Sequence, residues 1–202
     1  MNNYPLTPDI NAHWRAQYPE LKQSIHTTFG GFEWALPELG WAATLTHDQR
    51  MALLEECWQD GSLKMWVGTY PEVLADPEMN QEASEFVRDK IRSRINNPDL
   101  EPLLVPKAYG FGTYRVPLEN GYYDVFSRDN VQLVDVNAQP ITGFYEKGLI
   151  VGGERVELDI VILATGFDAG TGSLRQMNIL GRDGCSLSSL WGEDIRSTLG
   201  LQ

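Results

Sequence analysis

The sequence predicts an α+β chain, helical over its first half and built of short strands and turns over its second. Two features of its 202 residues carry this reading. Up to Ile95 the apolar residues recur at spacings of three and four, the period of an amphipathic helix. From Pro106 onward glycines cut the chain into short runs. One of these, the unbroken apolar stretch Ile160 to Ala164, reads as a strand buried on both faces. The texture changes near Val105-Pro106, which divides the chain into a helical region, 1–105, and a strand-rich region, 106–202.

The elements follow in order. Thr7-Pro8 supplies an N-cap with proline in the first turn, and Ile10 and Trp14 share a face behind it. Pro19 forces a kink or a restart, after which Leu21, Ile25 and Phe29 continue the stripe until Gly30-Gly31 ends it. Thr46 and Gln49 form a capping-box signature. The helix behind them carries Met51, Leu54, Cys57 and Trp58 on one face and stops at Gly61. Asp76-Pro77-Glu78 opens a further helix whose ridge is Ala83, Val87, Ile91 and Ile95, with Phe86 beside it, closed by Asn96-Asn97-Pro98. Ordinary helix packing accounts for each of these stripes.

In the second half "VQLVDV" (131–136) alternates and reads as a strand. "ITGFYEKGLIVGGERVELDIVILATGF" (141–167) reads as strand, glycine turn, strand, Gly-Gly turn and the buried strand ending at Gly166. "NILGRDG" (178–184) adds a short strand and a turn.

Composition narrows the function classes. A net charge of −12, shared as 8 basic and 16 acidic groups in 1–105 and 8 and 12 in 106–202, argues against nucleic acid or an anionic membrane as partner. No apolar run approaches the ~20 residues of a membrane helix, and "MNNYPLTPDI" has neither the basic nor the apolar region of a signal peptide. Cys57 and Cys185 stand far apart, outside any C-x-x-C, which points to free thiols in a reducing, cytoplasmic setting. His13, His26 and His47 fall at no metal-ligand spacing, so no metal is expected.

No G-x-G-x-x-G is present: "GFGTYR" (110–115) and "GTGSLR" (170–175) both place arginine where the third glycine belongs. P-loop, H-E-x-x-H and G-x-S-x-G motifs are absent too. Without a phosphate cradle, "ATGFDAGTG" (164–172) reads equally as a structural turn or as the edge of a ligand site. Arg115 has two readings as well. It is a fixed cation on a shaped loop where negative charge develops, or a surface ion pair with Glu119 or Asp124.

The ordered motifs add a resemblance. "ASEFVRDKIRSRINNPDLEPLLVPKAYGFGTYR", "YYDVFSRDN", "LDIVILATGFDAGTGSL", "GRDG" (181–184), "LW" (190–191) and "STLGL" (197–201) stand in the order and spacing of flavin-dependent Baeyer–Villiger monooxygenases. "FGGF" (29–32) and "CWQDG" (57–61) are similar to that family's helical insert. The resemblance implies a piece of an α/β flavoprotein with two dinucleotide-binding domains. Residues 1–105 would be the helical subdomain inserted in the NADP-binding domain, and 106–202 the return into the FAD-binding domain. It implies FAD and NADPH as cofactors, and oxygen insertion beside a ketone carbonyl through a C4a-peroxyflavin. Arg115 takes the place of the family's essential arginine. Ala164, Thr165 and Gly166, with Phe167 and Asp168, take the place of the motif beside the flavin.

Two departures matter. Tyr114 stands where the family has a lysine that recognises the 2′-phosphate of NADPH. Both glycine-rich loops and the family's "FxGxxxHxxxW" fingerprint are absent from these 202 residues, so the isolated chain is expected to bind neither cofactor and to be inactive. The alternative is a non-catalytic helical interaction module. In either case uncovered apolar strand faces around "DIVILA" favour self-association or pairing with a separate N-terminal half.

Overall fold

Local chemistry sets the helices. The computed structural model describes residues 5–28, 30–192 and 195; Phe29 and the "STLGL" stretch lie outside them. Helix α1 (Pro8–Ile25) starts as its sequence requires, with the Thr7 hydroxyl accepting from the Ile10 amide. It runs unbroken through Pro19, where a kink or restart was expected, and ends at Ile25, short of Gly30-Gly31. None of its residues is buried.

The capping box at α2 (His47–Asp60) is complete. Thr46 Oγ1 accepts from the Gln49 amide at 3.3 Å, and Gln49 Oε1 accepts from the Thr46 amide at 2.8 Å. Two one-turn helices follow, α3 (Lys64–Val67) and α4 (Glu72–Ala75), neither signalled by periodicity because each is shorter than one repeat of the pattern. Helix α5 (Pro77–Arg92) is capped by Asp76, whose carboxylate accepts from the Glu78 and Met79 amides. It stops before the expected Asn96-Asn97-Pro98, because Asn97 instead caps a separate turn, Pro98–Leu100, leading into α6 (Glu101–Leu104).

The ridges expected from sequence meet in one core: Leu54 and Cys57 of α2, Met65 of α3, Tyr70, Val73 of α4 and Ala83 of α5 are all buried. A half-buried ion pair locks α2 to α5. Arg50 donates to Glu82 twice, at 2.6 and 2.9 Å, and to the Leu45 carbonyl at 2.8 Å, while His47 Nδ1 lies 2.7 Å from Glu82. The Arg50 hydrogen bonds hold the Glu82 carboxyl below its ordinary range, against the opposing effect of burial.

The segment after α6 packs back on α5 through the turn Gly110–Thr113. Gly112 has φ +78°, and a Cβ there would stand 2.8 Å from the Trp66 ring and 2.9 Å from Leu74. Only glycine fits this backbone and this gap.

Chain contacts group residues Met1–Asp135 and Val136–Gln202 as two compact units, and the texture change at Val105-Pro106 falls inside the first. The second unit holds an antiparallel meander of β1 (Ile141–Tyr145), β2 (Gly148–Val151) and β3 (Glu154–Glu157) in the order β1-β2-β3. Gly152 and Gly153, both at positive φ, make the two-residue turn between β2 and β3. Helices α7 (Gly172–Gln176) and α8 (Leu187–Trp191) follow, with an isolated bridge Leu180↔Ser186 where "NILGRDG" was expected to give a strand and a turn.

The α+β class therefore holds, but besides the short strand of "NILGRDG", reduced to a single bridge, two further expected strands do not form. Residues 131–136 form no strand and join no described sheet. The run Ile160–Leu163 is neither a strand nor buried: Ile160 is 78 %, Ile162 82 % and Leu163 71 % exposed. A run apolar on both faces suits a central parallel strand with neighbours on both sides, and no described strand stands beside it. The chain instead forms β3, absent from the sequence reading, from the more polar Glu154–Glu157.

Glu82→Gln is expected to lower stability by about 1–3 kcal/mol at pH 7. Because the folded carboxyl is depressed, its contribution is complete above the ordinary carboxylate range and disappears as pH falls through the lowered value. Urea unfolding of the parent and variant should therefore converge as pH is lowered through and below the ordinary carboxylate range; a gap that stays constant throughout would refute the assignment. Gly112→Ala should cost more than about 2 kcal/mol. Gly121→Ala, equally left-handed at φ +82° but with its nearest neighbour at 3.8 Å, should lose only about 1 kcal/mol by the same measurement.

Candidate active-site cavity

The turn Gly110–Thr113 leads straight into Tyr114 and Arg115, which line a cavity of about 610 Å³ within the first unit. Its other walls come from the end of α2 (Cys57, Trp58), from α3 (Trp66) and from α5 (Val87). Burial pushes the Cys57 thiol above its ordinary range, so it stands in the wall as an apolar group rather than a nucleophile.

The loop carrying Arg115 is tethered at both ends. On its N-terminal side Arg88 Nε donates to the Pro106 carbonyl at 2.7 Å, and Ser84 Oγ accepts from the Phe111 amide at 2.8 Å. On its C-terminal side Arg94 holds both Glu119 and Asp124, the latter at 2.8 Å.

That tether bears on the ion-pair reading of Arg115. The carboxylates that would make it a surface ion pair bind Arg94 instead, and among the described residues no ion pair joins Arg115 to an acid. It remains an exposed guanidinium on a cavity wall, chemically suited to a negatively charged group. Tyr114 is 69 % exposed and packs edge-on against Tyr109, ring centroids 5.0 Å apart.

Ala164, Thr165, Gly166, Phe167 and Asp168 belong to the second unit and form an exposed bend before α7. Gly166 is left-handed at φ +92° with open space where a Cβ would stand, and Phe167 is 98 % exposed. Asp168 folds over Gly172, where a Cβ would come within 2.3 Å of its carboxyl carbon. The bend is therefore accessible to a close-approaching group, while Asp168 is occupied locally.

Sequence reading overlooked Asn80, Ser84 and Arg88. They occupy successive four-residue steps of α5 beside its apolar ridge, and that spacing was the available signal.

No protein-family profile matches the chain. It is 46% identical over 202 residues to the acetone monooxygenase (methyl acetate-forming) of Gordonia sp. (strain TY-5), covering 100% of this chain and 38% of that protein. It is 33% identical over 206 residues to a Baeyer–Villiger monooxygenase of Pseudooceanicola batsensis, covering 100% of this chain and 37% of that one. The crystal structure of OTEMO in complex with FAD and NADP superposes with a TM-score of 0.88 at 33% identity, over 98% of this chain and 37% of that one. The chain thus spans less than two-fifths of the length of the relatives it matches. It is a relative of the Baeyer–Villiger monooxygenases, matching one segment of them over its whole length.

Proposed function

We propose that this chain forms the part of a Baeyer–Villiger monooxygenase that presents Arg115 to the reacting groups, in an enzyme that uses FAD and NADPH to insert oxygen beside the carbonyl of a small ketone. In this reading residues 1–105 are the helical insert of the NADP-binding domain, and 106–202 return into the FAD-binding domain. The observation that carries it is the cavity wall: an arginine that forms no ion pair with an acid among the described residues, in a chain 46% identical to an acetone monooxygenase. Two unpaired thiols, Cys57 and Cys185, accord with the cytoplasm, and no helix among the described residues is long and apolar enough to cross a membrane.

The residues fit the edges of the two cofactors and not their phosphates. Arg115 supplies positive charge beside the cavity, and the bare Gly166 backbone admits a planar ring without steric conflict. No G-x-G-x-x-G stands in the 202 residues, so the phosphates are held by sequence outside them. Flavin, when bound, supplies the activation of oxygen. Arg115 stabilises the negative charge that accompanies it, from a loop already oriented and at no reorganisation cost. Tyr114, a neutral phenol, leaves recognition of the 2′-phosphate of NADPH to other groups.

The exposed Ile160, Ile162, Leu163 and Phe167 favour a second feature of the same reading: the chain is completed by a glycine-rich half, or associates with itself. A non-catalytic interaction module would use the same surface.

The purified chain should bind no flavin by itself, and should acquire yellow, stoichiometric FAD and ketone-to-ester activity when a glycine-rich half is supplied. Tight flavin binding by the chain alone would sink the incomplete-site reading, and association without flavin or activity would favour the interaction module. In the active assembly Arg115→Ala should lower kcat by at least ~10²–10³-fold; undiminished ester formation, followed by gas chromatography, would remove Arg115 from the mechanism.

A further inference from the structure

Three polar side chains of α5 do more than end its apolar face. Ser84, only 2 % exposed, accepts from the Phe111 amide at 2.8 Å and donates to Asn80 Oδ1 at 3.2 Å. Asn80 Nδ2 completes the ring by donating to the Phe111 carbonyl at 2.8 Å and to the Val73 carbonyl at 2.6 Å. Both amide hydrogens of Asn80, its oxygen, the Ser84 hydroxyl and both backbone groups of Phe111 are thereby satisfied. A closed network of this kind permits one orientation of the Asn80 amide and one placement of the Phe111 backbone.

Arg88 adds a second hold one helical step on. Its Nε donates to the Pro106 carbonyl at 2.7 Å, and its Nη2 to the Tyr109 carbonyl at 3.1 Å. Glu85 fixes the same guanidinium at 2.7 Å, so the fork is set before it meets the loop. The remaining link from Phe111 to Arg115 is short and itself closed: Thr113 Oγ1 donates to the Gly110 carbonyl at 2.8 Å, and Gly112 is confined by Trp66 and Leu74.

We propose that Ser84, with Asn80 and Arg88, is a positioning residue for Arg115: the three form a clamp on α5 that fixes the 106–111 backbone and so directs residue 115 at the cavity. The inference rests on the proposed role of Arg115. The loop has no regular ladder of its own, so without the clamp its remaining holds are the local Gly110–Thr113 turn, the confinement of Gly112, and the Arg94 pairs with Glu119 and Asp124 on the far side. A displacement of about 1 Å at a charge-stabilising group costs on the order of 10²-fold in rate, which makes this clamp a determinant of kcat rather than of substrate affinity.

The test uses the full chain for order and the active assembly for rate. In ¹⁵N relaxation, Ser84→Ala should lower the order parameters of the Tyr114 and Arg115 amides from about 0.85 to below about 0.6. Asp89→Ala, which breaks an exposed pair with Arg92 on the same helix and touches neither the loop nor the Arg88–Glu85 pair, should leave them unchanged. Arg88→Lys keeps a charge near Glu85 but loses the fork, and should give the same loss of order if Ser84→Ala does not fold. In the active assembly the clamp variants should lower kcat about tenfold or more with KM for the ketone unchanged. Unchanged order in both clamp variants would overturn the proposal, as would lost order with full kcat in an assembly that Arg115→Ala inactivates. Full activity of Arg115→Ala would instead overturn the role of Arg115 on which the inference rests, whatever the order parameters show.

Discussion

The constraint on which the first unit turns is a pair of hydrogen bonds at Phe111, whose carbonyl accepts from Asn80 and whose amide donates to Ser84. A loop with no strand partner must satisfy its buried amide and carbonyl elsewhere, and an unpaired buried group costs ~1–3 kcal/mol. Here one helix satisfies them with side chains, which draws the glycine turn tight against Trp66 and sends the chain along the cavity wall. The same helix contributes Ala83 and Ile91 to the interior and pairs Glu82 with Arg50. Core, ion pair and cavity therefore share one rigid element, and a shift of α5 would be felt at all three.

Charge is distributed with the same economy. Four arginines face α5 or extend from it, and each is matched: Arg50 with Glu82, Arg88 with Glu85, Arg92 with Asp89 and Glu101, Arg94 with Glu119 and Asp124. Arg94 takes the two acids nearest to Arg115 in sequence, and among the described residues no ion pair joins Arg115 to an acid.

The second unit presents the opposite situation. Its meander is held by backbone ladders and by the Gly152-Gly153 turn, but the strongest apolar run in the chain, Ile160–Leu163, lies open. Fully burying an Ile or Leu is worth about 1.5–3 kcal/mol, and Ile160, Ile162 and Leu163 are each 71–82 % exposed. The bend at Gly166 follows directly from this run and is equally uncovered.

What the sequence determined by itself was local. The Thr7, Thr46 and Asp76 caps and the Leu54, Cys57, Ala83 and Ile91 stripe follow from side chains acting within one or two turns of their own backbone. The ordered motifs also carried the family resemblance, because motif order is a property of the chain and needs no fold. Only the tertiary structure decided the rest. Ile160–Leu163 has the composition of a buried strand, yet burial requires neighbours, which composition cannot supply. Asn80, Ser84 and Arg88 read as the polar side of a helix until the 106–111 backbone lies against them. The sequence offered Glu119 and Asp124 as partners for Arg115, and in the fold Arg94 binds both across 25 and 30 residues of sequence. Competition between distant residues for one partner is invisible in a linear chain.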